Sequence, residues 1–225
     1  MKTIKDIRLY KSEQRSDLCG FVTHSFASRE LNAVLHRIVM KLRESGFSLG
    51  EFDHLYVNFT TCDIPQRILL SEEVDRYHPW YRYCSVAVSE EVFRALGTAA
   101  SYSGIISLVE EILVICFATE AFDAQKIRSC IDQAVAQGEH MLMAFKSKST
   151  AKRKATVYLR FLDNCQYHPL LRVYDTEDNL LLERDLPKMT MLDDLGEIQL
   201  SAKKVTIKPR RNAYTAGRKP IVIEH

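Results

Sequence analysis

The sequence predicts an α+β fold: an antiparallel or mixed sheet packed against three or four helices, followed by a C-terminal β-meander. Three observations carry that expectation. Before Gly138, apolar residues recur mostly at helical spacing, interrupted by two stretches of period two. After Gly138 the period is two almost throughout, with turn residues between the strands. Helices and strands are thus segregated rather than strictly alternating, which separates α+β from α/β architecture.

The opening TIKDIRLYK places Ile4, Ile7 and Leu9 in a loosely alternating edge strand. Leu31, Val34, Leu35, Ile38, Val39 and Leu42 then form one helical face, with Ser28 as N-cap and Gly46 as a left-handed terminator. In FDHLYVNFTTCDIP, Leu55, Val57 and Phe59 alternate with His54, Tyr56, Asn58 and Thr60, a half-buried strand that Pro65 helps to end. Residues 66–78 read as a long acidic connection through Glu72, Glu73 and Asp75. PWYRYCSVAV is a second strand, with Arg82, Cys84 and Val86 on one face and Tyr81, Tyr83 and Ser85 on the other.

Ser89, Glu90 and Glu91 begin a helix that Gly97 and Gly104 should interrupt. Beyond them Ile105, Leu108, Val109, Ile112, Leu113 and Cys116 share one face, and Val114 and Ile115 widen it, so this helix should be central or meet a partner. A third helix runs from about Asp123 to Gly138. HMLMAFKSK, KATVYLRFLD, PLLRVYDT and NLLLERDL form the meander, and EIQLSAKKVTIKP reads as a fifth strand. The expected organisation is one α+β domain over residues 1–208 and a basic, mobile tail over 209–225, with a division near 138–140 as the alternative.

Composition narrows the function. With 46% hydrophobic and 27% charged residues, the chain reads as globular and soluble. GIISLVEEILVICFA carries two glutamates and reads as too short to span a bilayer. No apolar export segment opens the sequence, so a cytoplasmic location is expected and no membrane partner. The six cysteines (Cys19, Cys62, Cys84, Cys116, Cys130, Cys165) are scattered, which predicts reduced thiols and no structural zinc. The glycine patterns of nucleotide-binding loops and the H-E-x-x-H motif are absent, and no cofactor or metal is expected.

Catalytic readings are weakly supplied. His54 is the best general-base candidate, for a hydrolase or transferase, but period two puts Asp53 on the opposite face, leaving it without an orienting carboxylate. Glu110 and Glu111 fall off the apolar stripe and read as solvated or interfacial acids. Pairing Cys62 with His54, or Cys84 with His78, lacks any context that would activate a thiol.

Binding is better supplied. RYHPWYRY concentrates aromatic and basic residues, which suit strand packing and also protein interfaces. The expected contact surface is Tyr56, Asn58, Tyr81 and Tyr83, with Trp80 and Arg82 at its edge, while Glu72, Glu73 and Asp75 steer a basic partner. The net charge of +2 hides an asymmetry: the first 202 residues carry 24 basic and 28 acidic groups, and seven basic residues lie between Lys203 and Lys219. An RNA-binding alternative therefore uses a basic hairpin tip (Lys152, Arg153, Lys154) together with Arg210 and Arg211.

From Glu51 to Val135, the layout of FDHLYVNFTTCDIP, an acidic connection, RYHPWYRYCSVAVS and an amphipathic helix resembles small bacterial immunity-type proteins of polymorphic toxin systems. That resemblance implies an α+β protein that neutralises a partner toxin by binding, a basic toxin domain if Glu72, Glu73 and Asp75 steer it, and it transfers no catalytic residue. The meander and the basic C-terminal region lie outside it. The sequence thus points to a non-enzymatic protein-interaction module.

Overall fold

In the computed structural model, which describes residues 2–18, 20 and 24–224, the helical spacing after Ser28 becomes α1 (Arg29–Glu44). Ser28 Oγ accepts the Leu31 N–H at 3.2 Å, and Gly46 follows the helix at φ +84°. That left-handed turn suits glycine, which has no Cβ to clash. α1 connects β1 (Asp6–Lys11) to β2 (His54–Thr60), and the two strands lie side by side and parallel. β4 (Tyr81–Ala87) pairs in parallel on the other side of β2, as the alternation of both strands allowed. A short strand, β3 (Ile68–Leu70), runs antiparallel to β4 inside what read as an unbroken connection. The sheet order is β1-β2-β4-β3 and the pairing is mixed.

The apolar face of this sheet is Ile7, Leu9, Leu55, Val57, Phe59, Cys84 and Val86, all buried. α1 packs against it, and α4 (Ala124–Gln137) packs against α1. Each fully buried side chain of this size contributes roughly 1.5–3 kcal/mol, so this face dominates the stability of the region. Asp123 caps α4 by accepting the Lys126 N–H at 2.9 Å.

Between β4 and α4 lie α2 (Glu90–Ala95) and α3 (Tyr102–Phe117). Gly97, at φ +89°, breaks the chain after α2, but Gly104 sits inside α3 rather than before it. Helical backbone therefore runs without a break from Ala99 to Phe117, long and apolar enough by length and composition to cross a membrane, which corrects the expectation that the stretch is too short. One face, Ile105, Val109, Ile112 and Leu113, is buried, whereas Ile115 is exposed. Glu110 and Glu111 are ion-paired with Arg128 and Arg67, at 3.1 and 3.2 Å.

The chain divides into two compact units, Met1–Gly138 and Glu139–His225, with the boundary at the 138–140 division that the sequence offered as an alternative. The second is all-β. β5 (Met143–Ser149), β6 (Lys154–Leu159), β7 (Leu170–Tyr174) and β8 (Leu180–Asp185) form the antiparallel meander, each strand beside its sequence neighbour. EIQLSAKKVTIKP is two strands, β9 (Ile198–Leu200) and β10 (Lys204–Ile207), because the Ser201 side chain accepts the Lys203 and Lys204 amides and turns the chain. The region read as a tail carries regular structure. It contains a capped turn at Ala213–Thr215 and β11 (Ile221–Glu224), which pairs antiparallel with β10. Taken as a whole, with its α-helices in the first unit and strands in both, the chain is α+β. Cys62, Cys84, Cys116, Cys130 and Cys165 are free thiols; Cys19 lies outside the described residues.

Candidate functional site

Strand register arranges the second face of the first sheet as a grid. Its three rows are Asp6–His54–Tyr81, Arg8–Tyr56–Tyr83 and Tyr10–Asn58–Ser85. Tyr56 sits at the centre. Tyr10 stacks on it at 5.5 Å between ring centroids, Tyr81 approaches to 4.5 Å, Tyr83 to 5.5 Å, and the Arg8 guanidinium lies 5.6 Å above it. His78 in turn stacks on Tyr81 at 4.6 Å, its ring within 5° of parallel.

This crowding corrects the expected contact surface. Tyr56 is 3% exposed, and Asn58 and Tyr83 are buried alongside it; only Tyr81 remains half-buried. The rings cover one another, and the backbone at Asp17 and Leu18 lies against the Asn58–Ser85 row, while Arg8 stays exposed. Asn58 Nδ2 donates to the Asp17 carbonyl at 3.3 Å, and Ser85 Oγ donates to the Leu18 carbonyl at 2.6 Å. Arg82 points the other way, its guanidinium 4.8 Å from the Phe52 ring. Burial pushes the Tyr56 phenol above its ordinary range, and the hydrogen bond with Tyr81 adds to it. Tyr83 is raised by burial and by its hydrogen bond to Asp75. Both phenols stay protonated near neutral pH and act as structural donors.

The exposed aromatic surface is next door, on the loop between β3 and β4. Val74 is 57% exposed, Tyr77 77% and Trp80 36%. Tyr77 stood out in the sequence only as part of RYHPWYRY and Val74 not at all, because a loop has no periodicity to mark its exposed side chains. Glu72 and Glu73 are exposed on the same loop. Asp75 turns inward and fixes it: Oδ1 accepts the Tyr77 and His78 amides at 2.8 and 2.7 Å, and Oδ2 accepts the Tyr83 hydroxyl at 3.0 Å. At the end of the loop, the Trp80 carbonyl accepts the Asp53 and His54 amides.

The backbone amide of His78, then the amide of Tyr77 and the hydroxyl of Tyr83, hold the Asp75 carboxyl below its usual range despite some desolvation. A depressed carboxylate supports the folded loop fully above its unfolded value, roughly pH 3.9, and loses that role as pH falls through the lower folded value. Trp80 is the chain's only tryptophan and reports on this loop. Its emission is expected to stay constant from pH 7 to about 4 and to shift only below the ordinary carboxylate value. A transition centred near pH 5 or above would contradict the role of Asp75.

The catalytic candidate is also relocated. Asp53 precedes β2, so strand alternation does not govern it, and its Oδ1 lies 2.5 Å from His54 Nδ1. Lys5 binds the other oxygen at 2.6 Å. Burial would raise the Asp53 carboxyl, but these two partners outweigh it and hold it low. His54 thus has an orienting carboxylate after all. Neither cysteine candidate is brought to it: Cys62 stands at the far end of β2 and donates to the Glu13 carbonyl, and Cys84 is on the buried apolar face of the sheet. A groove of about 570 Å³ in this unit is lined by residues including Arg67, Val92, Leu108 and Glu111 and includes no member of the grid. No cluster of three or more metal-ligating side chains occurs among the described residues.

In the second unit, Lys152 and Arg153 lie on the β5–β6 turn and Lys154 at the start of β6, while Arg210 and Arg211 sit on the loop after β10. Arg153 Nη1 donates to the Ala202 carbonyl at 2.9 Å, bringing the β5–β6 and β9–β10 turns together.

Fold and sites define a two-unit α+β protein with a filled aromatic grid and an exposed aromatic loop in one unit and a basic surface in the other. Comparison with family models, with curated proteins and with solved structures returns no match.

Proposed function

We propose that the first unit is a non-enzymatic protein-interaction module whose contact surface is the Glu72–Trp80 loop. The observation that carries this reading is the 77% exposure of Tyr77 on a backbone clamped by Asp75. Tyrosine and tryptophan are the residues that most often anchor interfaces. A loop already fixed in shape loses little entropy when it docks. Acidic partners are disfavoured, since the unit holds 15 Lys and Arg against 18 Asp and Glu, a formal −3, and Glu72 and Glu73 flank the aromatic residues. A basic partner would be steered toward it.

The most specific form of this proposal is a cytoplasmic immunity-type protein of a bacterial toxin system, masking a basic toxin domain. Its support is the sequence layout of residues 51–135 and the acidic character of the loop.

Photo-crosslinking from position 77 tests both levels. With Tyr77 replaced by benzoylphenylalanine in the native cell, one basic protein is expected to be captured, and Trp80→Ala should weaken its binding by about 30-fold. A captured protein without toxic activity would remove the immunity form alone. Recovery of no adduct, or equal capture from an exposed position outside the loop, would remove the module itself.

A further inference from the structure

The second unit carries 16 Lys and Arg against 11 Asp and Glu, a formal +5. Its acids are largely occupied: Glu183 pairs with Arg172, Asp185 with Arg160 and Asp194 with Arg218. Asp175 is turned onto the amides of its own turn, Glu177 and Asn179. By contrast Lys152, Lys154, Lys203, Lys204, Arg210 and Arg211 are exposed, with no ion pair among the described residues. They fall in two groups at opposite ends of β10, a strand of four residues, which separates them by roughly 15 Å.

Both groups are held rather than loose. Arg153 locks the first by its bond to Ala202. In the second, the Arg210 amide donates to the Asp193 carbonyl at 2.7 Å, and Asn212 and Thr215 cap each other's backbone. That loop bounds a groove of about 370 Å³ lined by Lys208, Arg210, Arg211 and Asn212. Tyr214, two residues after Asn212, is 73% exposed. Exposed guanidinium groups on a backbone held in place suit phosphates, and an uncovered ring beside them suits a base.

We infer that the second unit binds single-stranded nucleic acid along β10, with Lys203, Lys204, Arg210 and Arg211 on the phosphates and Tyr214 stacking on a base. The surface belongs entirely to residues 139–225, so its failure would leave the protein-interaction reading intact. Fluorescence anisotropy of a labelled oligouridylate dodecamer with the full chain tests it. Affinity is expected to fall linearly on a log–log plot between about 50 and 200 mM salt. Arg210→Ala with Arg211→Ala should reduce that slope by about 1.4, whereas the two lysine replacements should keep it. Tyr214→Ala should weaken binding about tenfold at an unchanged slope and leave heparin binding unaltered. No anisotropy change at about 50 mM salt would overturn the inference. So would an unaltered slope in the folded double alanine variant, or oligonucleotide binding indifferent to Tyr214, which would mark a surface that reads charge alone.

Discussion

Gly196→Ala is expected to open the second unit while leaving the first intact. A Cβ at this position would lie 2.5 Å from the Lys208 carbonyl oxygen, 2.6 Å from the Pro209 carbonyl carbon and 2.7 Å from the Arg210 nitrogen. All three are backbone atoms, so no side chain can rotate to make room. The close approach is itself bonded: the Gly196 amide donates to the Lys208 carbonyl at 2.8 Å. Lys146 Nζ braces the same turn by donating to the Leu195 and Gly196 carbonyls, at 3.0 and 2.7 Å. Forcing a methyl group into such a contact costs about 1–3 kcal/mol, and the upper end applies where only backbone can yield. For a unit of this size that corresponds to a fall of roughly 10 °C or more in its melting midpoint. Hydrogen exchange separates the units: amides of β10 and β11 should lose protection, and those of β2 and β4 should keep it. Because Arg210 rides on the displaced segment, nucleic-acid affinity should fall with it. Unchanged protection around residues 204–224 would show that the close approach is not needed.

The need for glycine at 196 illustrates which features the sequence carries and which it hides. Ser28 before α1 and Asp123 before α4 act within three residues of themselves, and a local signal of that kind is readable from the chain. The meander was readable for the same reason, since each strand pairs with its neighbour. Alternation put Tyr56 and Asn58 on one strand face and Tyr81 and Tyr83 on another, but the pairing of the two strands and its register came only from the structure. What alternation could not give was the cover on that face. Asn58 meets a carbonyl 41 residues away and Ser85 one 67 residues away, and Tyr10 arrives from an edge strand with no aromatic pattern of its own. Polar and aromatic residues on a strand face therefore read as surface although they are interior. Asp53 was misplaced because period two was extended one residue past the start of β2. β11 was missed because four residues behind a proline are too few to show a period, and their partner lies across a long loop.

Tyr56→Ala decides between interior and surface for the aromatic grid. As an interior residue, Tyr56 supports Tyr10, Tyr81 and Tyr83 at once, and its removal leaves the space of a whole ring among them. Truncating a buried aromatic side chain costs about 3–5 kcal/mol, enough to lower the midpoint of the first unit by roughly 10–20 °C. Tyr56→Phe keeps the ring and removes only the hydroxyl that bonds Tyr81, so it should cost about 1 kcal/mol. Urea unfolding followed by Trp80 emission reads this unit, because Trp80 lies 5.9 Å from Tyr81 at the edge of the grid. The two variants should therefore differ by several-fold in lost stability. An exposed contact residue would behave otherwise: both variants would sit within about 0.5 kcal/mol of wild type, and only partner binding would suffer. Near-neutral stability for Tyr56→Ala would return the contact surface to the strands and take the Glu72–Trp80 loop out of its role.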